Sequence, residues 1–339
     1  MKIGSHNTKE KVFIVAEAGV NHEGSLEQAE NLVVEAKKAG ADAVKFQTYL
    51  PSEYIARSEI ERFERVSRFA LPLEAFGRLN EVARKEGIIF FSTPLDRESV
   101  DALKRMVPVF KISSGDINYQ PLIQYVASQR KPVIFSSGGA SLAEIKQTLS
   151  WIERETSKRF VKENVAVLHC VAAYPAPIES VNLKSIGYLA EELEITVGYS
   201  DHTPGFEVAP LAVAAGARII EKHFTLSRNG KTFRDHLISL EPREFSQMVK
   251  QIRRVEELLG KSGKFVTPLE AENIPSFRRG IAAKKDLPAG SVLSKEDICF
   301  VRPRKEFASE SATKLVGRRV KRSVAQGHLL RPEDLEMAR

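Results

Sequence analysis

Val12-Phe13-Ile14-Val15-Ala16 is an apolar run of strand length that ends on a carboxylate, Glu17. Seven more runs have the same form. Ala43-Val44 leads into Lys45, Phe46 and Gln47, and Ile88-Ile89-Phe90-Phe91 into Ser92 and Thr93. Val109-Phe110 leads into Lys111, Val133-Ile134-Phe135 into Ser136, and Val165-Ala166-Val167-Leu168 into His169. Ile195-Thr196-Val197 is followed by Ser200, Asp201 and His202, and Arg218-Ile219-Ile220 by Glu221, Lys222 and His223. Strands that all carry polar chemistry at their C-terminal ends are the pattern of a (β/α)8 TIM barrel, where those ends open onto one mouth.

Helical periodicity fills the gaps between the runs. It predicts helices over 26–39, 72–86, 98–106, 121–128, 141–156, 184–193, 206–215 and 242–259, with Gly40 and Gly87 as stops and Pro72 as a start. Eight alternations over roughly 250 residues fit the barrel. The competing reading is an open doubly wound sheet, but no glycine-rich dinucleotide fingerprint follows the first strand. Ser136-Ser137-Gly138-Gly139 reads instead as a small oxyanion- or phosphate-binding turn. The segment 51–71 is longer than an ordinary βα loop and is expected to form a lid or rim.

The domains expected are a catalytic barrel over 1–260, a polar linker over 261–276, and a small mostly-β domain over 277–339 built from short pieces with turn signals. That last segment carries 15 Lys and Arg against 8 Asp and Glu, which accounts for the whole net charge of +7. An anionic ligand or simple solubility explains such an excess. Neither an RNA-binding aromatic signature nor zinc-finger spacing accompanies it, so no nucleic acid is expected. No run approaches membrane-spanning length, and residues 1–11 are polar with no signal-peptide core. With only Cys170 and Cys299, a cytoplasmic setting is the default.

Strand alternation puts Glu17 on the face of Val15 and Gly19, Lys45 with Gln47, Ser200 with His202, and Glu221 with His223. Parallel barrel strands are normally apolar on both faces. Unpartnered burial of Glu17, Lys45, Lys111 and Glu221 would be costly, so these residues are expected to line a wet mouth. His202 and His223 end neighbouring strands, close enough to share one metal ion, or else to be two hydrogen-bonded rim histidines. Nitrogen ligands with open positions suit Mn²⁺, Zn²⁺ or Co²⁺. Lys45 and Lys111, with Thr93, Ser114, Ser136 and Ser200, suit phosphate or carboxylate oxygens; the hydroxyls have a second reading as helix N-caps. Cys170 reads as a packed thiol rather than a nucleophile.

As a set these stretches resemble the sialic acid synthase (N-acetylneuraminate synthase-like) family. The residues that carry the resemblance are Ile14 through Gly24, Val44-Lys45-Phe46-Gln47-Thr48, Phe91-Ser92-Thr93-Pro94, Phe110-Lys111-Ile112-Ser113-Ser114-Gly115, Tyr174-Pro175-Ala176-Pro177, Ser200-Asp201-His202-Thr203 and Glu221-Lys222-His223-Phe224-Thr225. The segment from Arg278-Arg279-Gly280 is similar to the family's antifreeze-like SAF domain. The resemblance implies that phosphoenolpyruvate condenses with the open-chain aldehyde of an N-acetylated amino sugar (N-acetylmannosamine or an analogue), releasing phosphate. It implies a divalent metal on His202 and His223, Mn²⁺ first with Mg²⁺ or Co²⁺ open, that polarises the aldehyde oxygen. Lys45, Thr93, Lys111, Ser114, Ser136 and Ser200 would hold phosphoenolpyruvate. Glu17, Gln47, Tyr174 and Asp235 would face the sugar, and Glu17, Lys45, Lys111 and Asp116 form the expected catalytic set. It also implies a homodimer in which each SAF domain caps the partner's barrel, with Arg302 reaching the N-acetyl group. Several positions depart from the family. Arg302-Pro303-Arg304-Lys305-Glu306-Phe307 replaces Arg-Pro-Gly-x-Gly-Ile, Ala172 stands where sialic acid synthases carry asparagine, and Asp116 where glutamate is common. The wording around Ala172 is closer to the spore-coat polysaccharide branch. The acceptor therefore stays open between N-acetylmannosamine, a legionaminate- or pseudaminate-type precursor and a spore-coat sugar. A metal-dependent barrel aldolase or hydrolase, and a non-catalytic glycan-binding protein, are the alternatives of other classes.

Overall fold

The computed structural model describes residues 1–336. They divide into two compact units, Met1–Gly260 and a second that begins at Lys261. The first holds eight parallel strands: β1 (Phe13–Gly19), β2 (Ala43–Thr48), β3 (Ile89–Pro94), β4 (Phe110–Ile112), β5 (Val133–Ser136), β6 (Val165–Cys170), β7 (Thr196–Asp201) and β8 (Ile219–His223). Their order is β3-β2-β1-β8-β7-β6-β5-β4, so the first strand pairs with the last. The two end strands, β3 and β4, lie side by side and bring the sheet nearly to a closed ring. The pairing of β1 with β8 rules out the doubly wound alternative.

Every predicted strand is present, and each extends further into its polar C-terminal residues than the apolar run alone shows. Helices follow at Leu26–Lys38, Ala75–Glu86, Arg97–Leu103, Gln120–Ser128, Leu142–Glu155, Lys184–Leu193, Val208–Ala214 and Pro242–Leu259. Their starts have local causes. Ser25 accepts from the Gln28 amide, Asp96 from Ser99, and Ser141 forms a capping box with Glu144. Each helix turns an apolar stripe onto the sheet, as with Leu32, Val33 and Ala36, or Phe245, Met248 and Ile252. The segment 51–71 forms two helices, Pro51–Tyr54 and Ile60–Phe69. A two-stranded hairpin of Lys2–Ile3 and His6–Asn7 precedes the barrel. Polar composition hid it, yet Ile3 is fully buried.

Alternation also points residues outward. Lys222 and Asp201 face away from the strand faces that carry the histidines, and both are fully buried. Lys222 Nζ lies 3.1 Å from Asp201 Oδ2 and 2.5 Å from the Thr203 carbonyl, which ties β7 to β8 just beneath their polar ends. Gly198 of β7 sits where no side chain fits. A Cβ there would lie 2.5 Å from the Ile219 carbonyl oxygen and 2.6 Å from a Leu168 methyl. Gly198→Ala should therefore cost roughly 1–3 kcal/mol by overpacking between β6 and β8. An unchanged denaturation midpoint would show that the neighbouring strands yield freely.

In the second unit, β9 (Gly280–Ala283) pairs antiparallel with β10 (Ile298–Val301). Isolated bridges such as Leu287–Val324 and Val320–Leu335 complete the fold. Its own small core gathers Ile281, Leu287, Leu293, Val320, Val324 and Leu335. Residues 337–339 of the predicted tail domain lie outside the described residues. The expected linker over 261–276 needs correction, because Pro268–Phe277 is a helix. Thr267 and Glu270 form a capping box and Pro268 takes the first turn, so local chemistry starts it. None of its residues is buried, which is why no apolar period announced it. No helix among the described residues is long and apolar enough to cross a membrane.

Candidate active site

The C-terminal ends of the barrel strands surround a cavity of about 1140 Å³. Its floor is set by strand register. Glu17 stands level with Lys45 across β1 and β2, Gln47 with Thr93 across β2 and β3, and Glu221 with Ser200 across β8 and β7. The predicted residues Glu17, Lys45, Gln47, Thr93, Lys111, Ser114, Ser136, Tyr174, Ser200, His202, His223 and Asp235 all line it. Asp116 does not. It lies in the short turn Ser114–Asp116 after β4, where it accepts a hydrogen bond from the Ser113 hydroxyl. Arg302 belongs to the second unit, just past β10.

Two buried lysines and two buried carboxylates form the floor. Lys45 Nζ lies 2.6 Å from Glu17 Oε2 and 3.6 Å from Glu221 Oε2. Lys111 Nζ is 3.3 Å from Glu221 Oε1, which also accepts from Ser200 Oγ at 3.1 Å. Lys45 donates to Thr93 Oγ1 at 3.2 Å. The two carboxylates sit in different electrostatic surroundings. Burial pushes the Glu17 carboxyl up to about 7, against the pull of Lys45 and with the push of Glu221. The Lys45 ammonium is the one cation within ion-pair distance of Glu17 among the described residues. Burial alone would raise Glu221 as well, but Lys111 and Lys45 outweigh it and hold that carboxyl at about 2. A carboxyl raised by burial and a carboxylate held low by two ammonium groups thus share one lysine.

The hydroxyls of Thr93, Ser136 and Ser200 cap no helix, because Asp96, Ser141 and Glu207 hold the cap positions after β3, β5 and β7. Ser136 Oγ is buried with no hydrogen-bond partner. Ser114 Oγ accepts from the Gly138 amide at 3.0 Å, and a Cβ on Gly138 would meet that oxygen at 2.9 Å. The turn after β5 therefore packs its backbone against Ser114 only because residue 138 is glycine. Cys170 lines the cavity, and burial pushes its thiol up to about 11, which keeps it protonated.

His202 and His223 face each other with ring centroids 5.5 Å apart. The Nδ1 of His202 lies 2.8 Å from the Val171 carbonyl; as the donor of that bond it leaves Nε2 as a free lone pair. His223 Nδ1 is buried with no hydrogen-bond partner. Burial pushes both imidazoles below their usual range, so both are neutral bases at physiological pH. Tyr174 stacks on His202 at 4.1 Å and fixes its plane. Two neutral, oriented, under-satisfied imidazoles fit a divalent ion whose other positions are open to water or substrate. Among the described residues, no three His, Cys, Asp or Glu side chains gather as a complete protein-only ligand set.

The outer wall was not singled out residue by residue from the sequence. Tyr54, Arg62, Arg65, Arg68 and Phe69 come from the segment 51–71, facing Phe233 and Arg234 from the loop after β8. Glu23 anchors that loop, meeting Lys231 and, at 3.4 Å, His236. The length of the insert was a signal for the rim as a whole. The Arg62-x-x-Arg65-x-x-Arg68 spacing, one face of a helix, was the signal for its charge.

The sequence pattern of the NeuB family matches residues 32–264, and that of the SAF domain residues 278–336. The N,N'-diacetyllegionaminic acid synthase of Campylobacter jejuni is 36% identical over 335 residues, covering 95% of this chain and 99% of that protein. The spore coat polysaccharide biosynthesis protein SpsE of Bacillus subtilis is 38% identical over 318 residues, covering 86% of this chain and 84% of that protein. The N-acetylneuraminic acid synthetase of Leptospira borgpetersenii, solved in complex with citrate, matches with a TM-score of 0.75 at 36% identity, over 81% of this chain and 94% of that one. The chain belongs to the NeuB family and is an enzyme, a synthase with a C-terminal SAF domain.

Proposed function

With that family as the premise, we propose that the enzyme condenses phosphoenolpyruvate with the open-chain form of an N-acetylated amino sugar to give a nonulosonic acid and inorganic phosphate. The observation that carries this reading is the floor of the cavity. Lys45 and Lys111, with the unpartnered Ser136 hydroxyl and those of Thr93, Ser114 and Ser200, offer cationic and neutral donors for a phosphate and a carboxylate together. A C–C bond forms between the methylene carbon of phosphoenolpyruvate and the aldehyde carbon. Water then adds to the neighbouring carbon that bears the phosphate ester, and the tetrahedral adduct loses phosphate to leave a ketone.

Each wall has a task in that sequence. The lysines offset the negative charge of phosphoenolpyruvate and hold its reactive carbon against the histidine wall. Glu17, with its carboxyl near 7, is suited to pass the proton that moves between the incoming water and the new alkoxide. His202 and His223 would hold a divalent metal, Mn²⁺ in first place with Mg²⁺ or Co²⁺ open. Bound there, it would supply Lewis-acid polarisation of the aldehyde oxygen. Gln47, Tyr174 and Asp235 lie on the sugar's side. Asp235 is buried, with the Arg234 guanidinium 3.5 Å from its Oδ1, which suits it to accept from a sugar hydroxyl. The homodimer, the cytoplasmic setting, the part of Asp116 and the reach of Arg302 toward an N-acetyl group belong to this same proposal.

The test is phosphate release from phosphoenolpyruvate across a panel of N-acetylated hexosamines and their deoxy, diacetamido analogues, with Mn²⁺ and with EDTA. Release that depends on one sugar and stops with EDTA is expected. Release without any sugar, or an aldol cleavage that needs no phosphoenolpyruvate, would overturn the reading.

A further inference from the structure

The two histidines stand where the sheet stops holding them together. The ladder between β7 and β8 ends at the pair Asp201 and Lys222. His202 is one residue beyond β7, and His223, the last residue of β8, has its ladder partner on β1, in Glu17. What spans the gap lies on the other face of the strands. Lys222 Nζ reaches Asp201 Oδ2 at 3.1 Å and the Thr203 carbonyl at 2.5 Å. Asp201 Oδ1 accepts from the Thr203 amide at 2.9 Å and from the Thr203 hydroxyl at 2.7 Å, so the carboxylate closes a turn with His202 at its centre. Lys222 and Asp201 are fully buried, and neither lines the cavity. Net stability does not account for such a pair, because apolar residues of like volume often replace a buried ion pair without loss. A fixed geometry does account for it.

We propose that Lys222 and Asp201 are positioning residues, which hold His202 and His223 at the separation and tilt that let both imidazoles reach one divalent ion. The inference rests on the metal site of the condensation reading and deepens it, by assigning the spacing of the two ligands to a contact behind the sheet. The floor does not need that contact, because the ladder itself levels Glu221 with Ser200. His202 does need it. Its carbonyl accepts from the Ala176 amide at 2.9 Å, and its Nδ1 lies 2.8 Å from the Val171 carbonyl, so both contacts draw it toward the loop after β6. The Lys222 ammonium, bound to both Asp201 and the Thr203 carbonyl, draws the same turn back toward β8. The 5.5 Å between the ring centroids is the balance of these two pulls. A group that fixes a metal ligand from behind sets affinity without touching the ion.

The experiment uses the double variant Asp201→Asn, Lys222→Met, which leaves no unpaired buried charge and keeps an amide oxygen for the Thr203 donors. Calorimetric binding of Mn²⁺ to the metal-free protein should weaken at least about tenfold, the usual cost of losing a group that orients a metal ligand. Co²⁺ bound in place of Mn²⁺ should show an altered visible absorption spectrum, which reports coordination geometry. Phosphoenolpyruvate binding in EDTA should stay within about twofold of wild type, since the floor is untouched. A wild-type Mn²⁺ isotherm and Co²⁺ spectrum in the folded variant overturn the inference and leave the metal site standing. An equal loss of Mn²⁺ and phosphoenolpyruvate binding also overturns it, because the pair would then support the barrel as a whole. Thr203→Val serves if the double variant does not fold. It removes one hydroxyl donor to Asp201 and should weaken Mn²⁺ binding about threefold or more, the worth of one hydrogen bond; an unchanged isotherm there overturns the inference. A wild type that binds neither Mn²⁺ nor Co²⁺ removes the metal reading and this inference with it. If the double variant loses Mn²⁺ while the wild type releases phosphate with no acceptor, the positioning pair stands and the condensation reading falls.

Discussion

Glu221→Gln should lower the stability of the first unit by about 3 kcal/mol, the low end of the range for breaking a buried ion pair. The carboxylate lost is the one that both lysines share, at 3.3 Å and 3.6 Å, and it also receives the Ser200 hydroxyl. Without it, two buried ammonium groups face each other across the floor with only Glu17 to balance them. Glu17 offsets part of the loss, because the negative neighbour that helped to raise its carboxyl is gone. Lys111, which burial already pushes below its usual range, gives up its proton more readily. Phosphoenolpyruvate brings the missing negative charge, so it should stabilise the variant more than the wild type. Saturating ligand is worth on the order of 3 kcal/mol at a hundredfold excess over Kd. Denaturant unfolding with and without phosphoenolpyruvate measures both effects. A variant as stable as the wild type, or one that gains no more from the ligand, would mean that the lysines are solvated and that Glu221 is not their counterion.

That quartet shows how far the sequence could be read. The eight strands were legible because a buried parallel strand has to be an apolar run, and each run ended at a residue too costly to bury for packing alone. Alternation then put Glu17, Lys45, Ser200, His202, Glu221 and His223 on the inward faces, where register levels them. The same rule turned Lys222 outward to Asp201, although it stands between two cavity residues. What alternation does not give is who pairs with whom. That Lys45 lies between two carboxylates, and that Glu221 is shared by both lysines, follows from distances across the barrel and not from any spacing along the chain. The rim arginines were hidden for another reason. On a helix so exposed, a charged face is ordinarily a solvated one, and only the contacts of Arg65 with the Phe233 ring and of Arg68 with the Phe69 ring distinguish it. The helix Pro268–Phe277 was missed because periodicity needs a buried face, although Thr267-Pro268-Leu269-Glu270 carried its start signal in plain view.

His223→Ala should reduce turnover by about a thousandfold or more and weaken Mn²⁺ binding by more than about a hundredfold, beyond the loss that outer ligand-orienting groups produce. The argument rests on what the imidazole lacks. His223 is buried, neutral at physiological pH, and its Nδ1 has no hydrogen-bond partner. A polar group in that state weakens the fold unless something binds it. Its removal should therefore leave stability nearly unchanged, since the lost packing is offset by one fewer unsatisfied atom. That contrast separates a ligand from a structural residue. A structural histidine would take stability with it and leave the Mn²⁺ isotherm alone. A ligand would take the isotherm and leave the denaturation midpoint. Phosphoenolpyruvate should still stabilise the variant in EDTA, because Lys45 and Lys111 are untouched. Full turnover with an unchanged Mn²⁺ affinity would remove the metal from His223. Lost turnover with an unchanged affinity would make this imidazole a proton carrier, and the metal's place in the reaction would then rest on His202 alone.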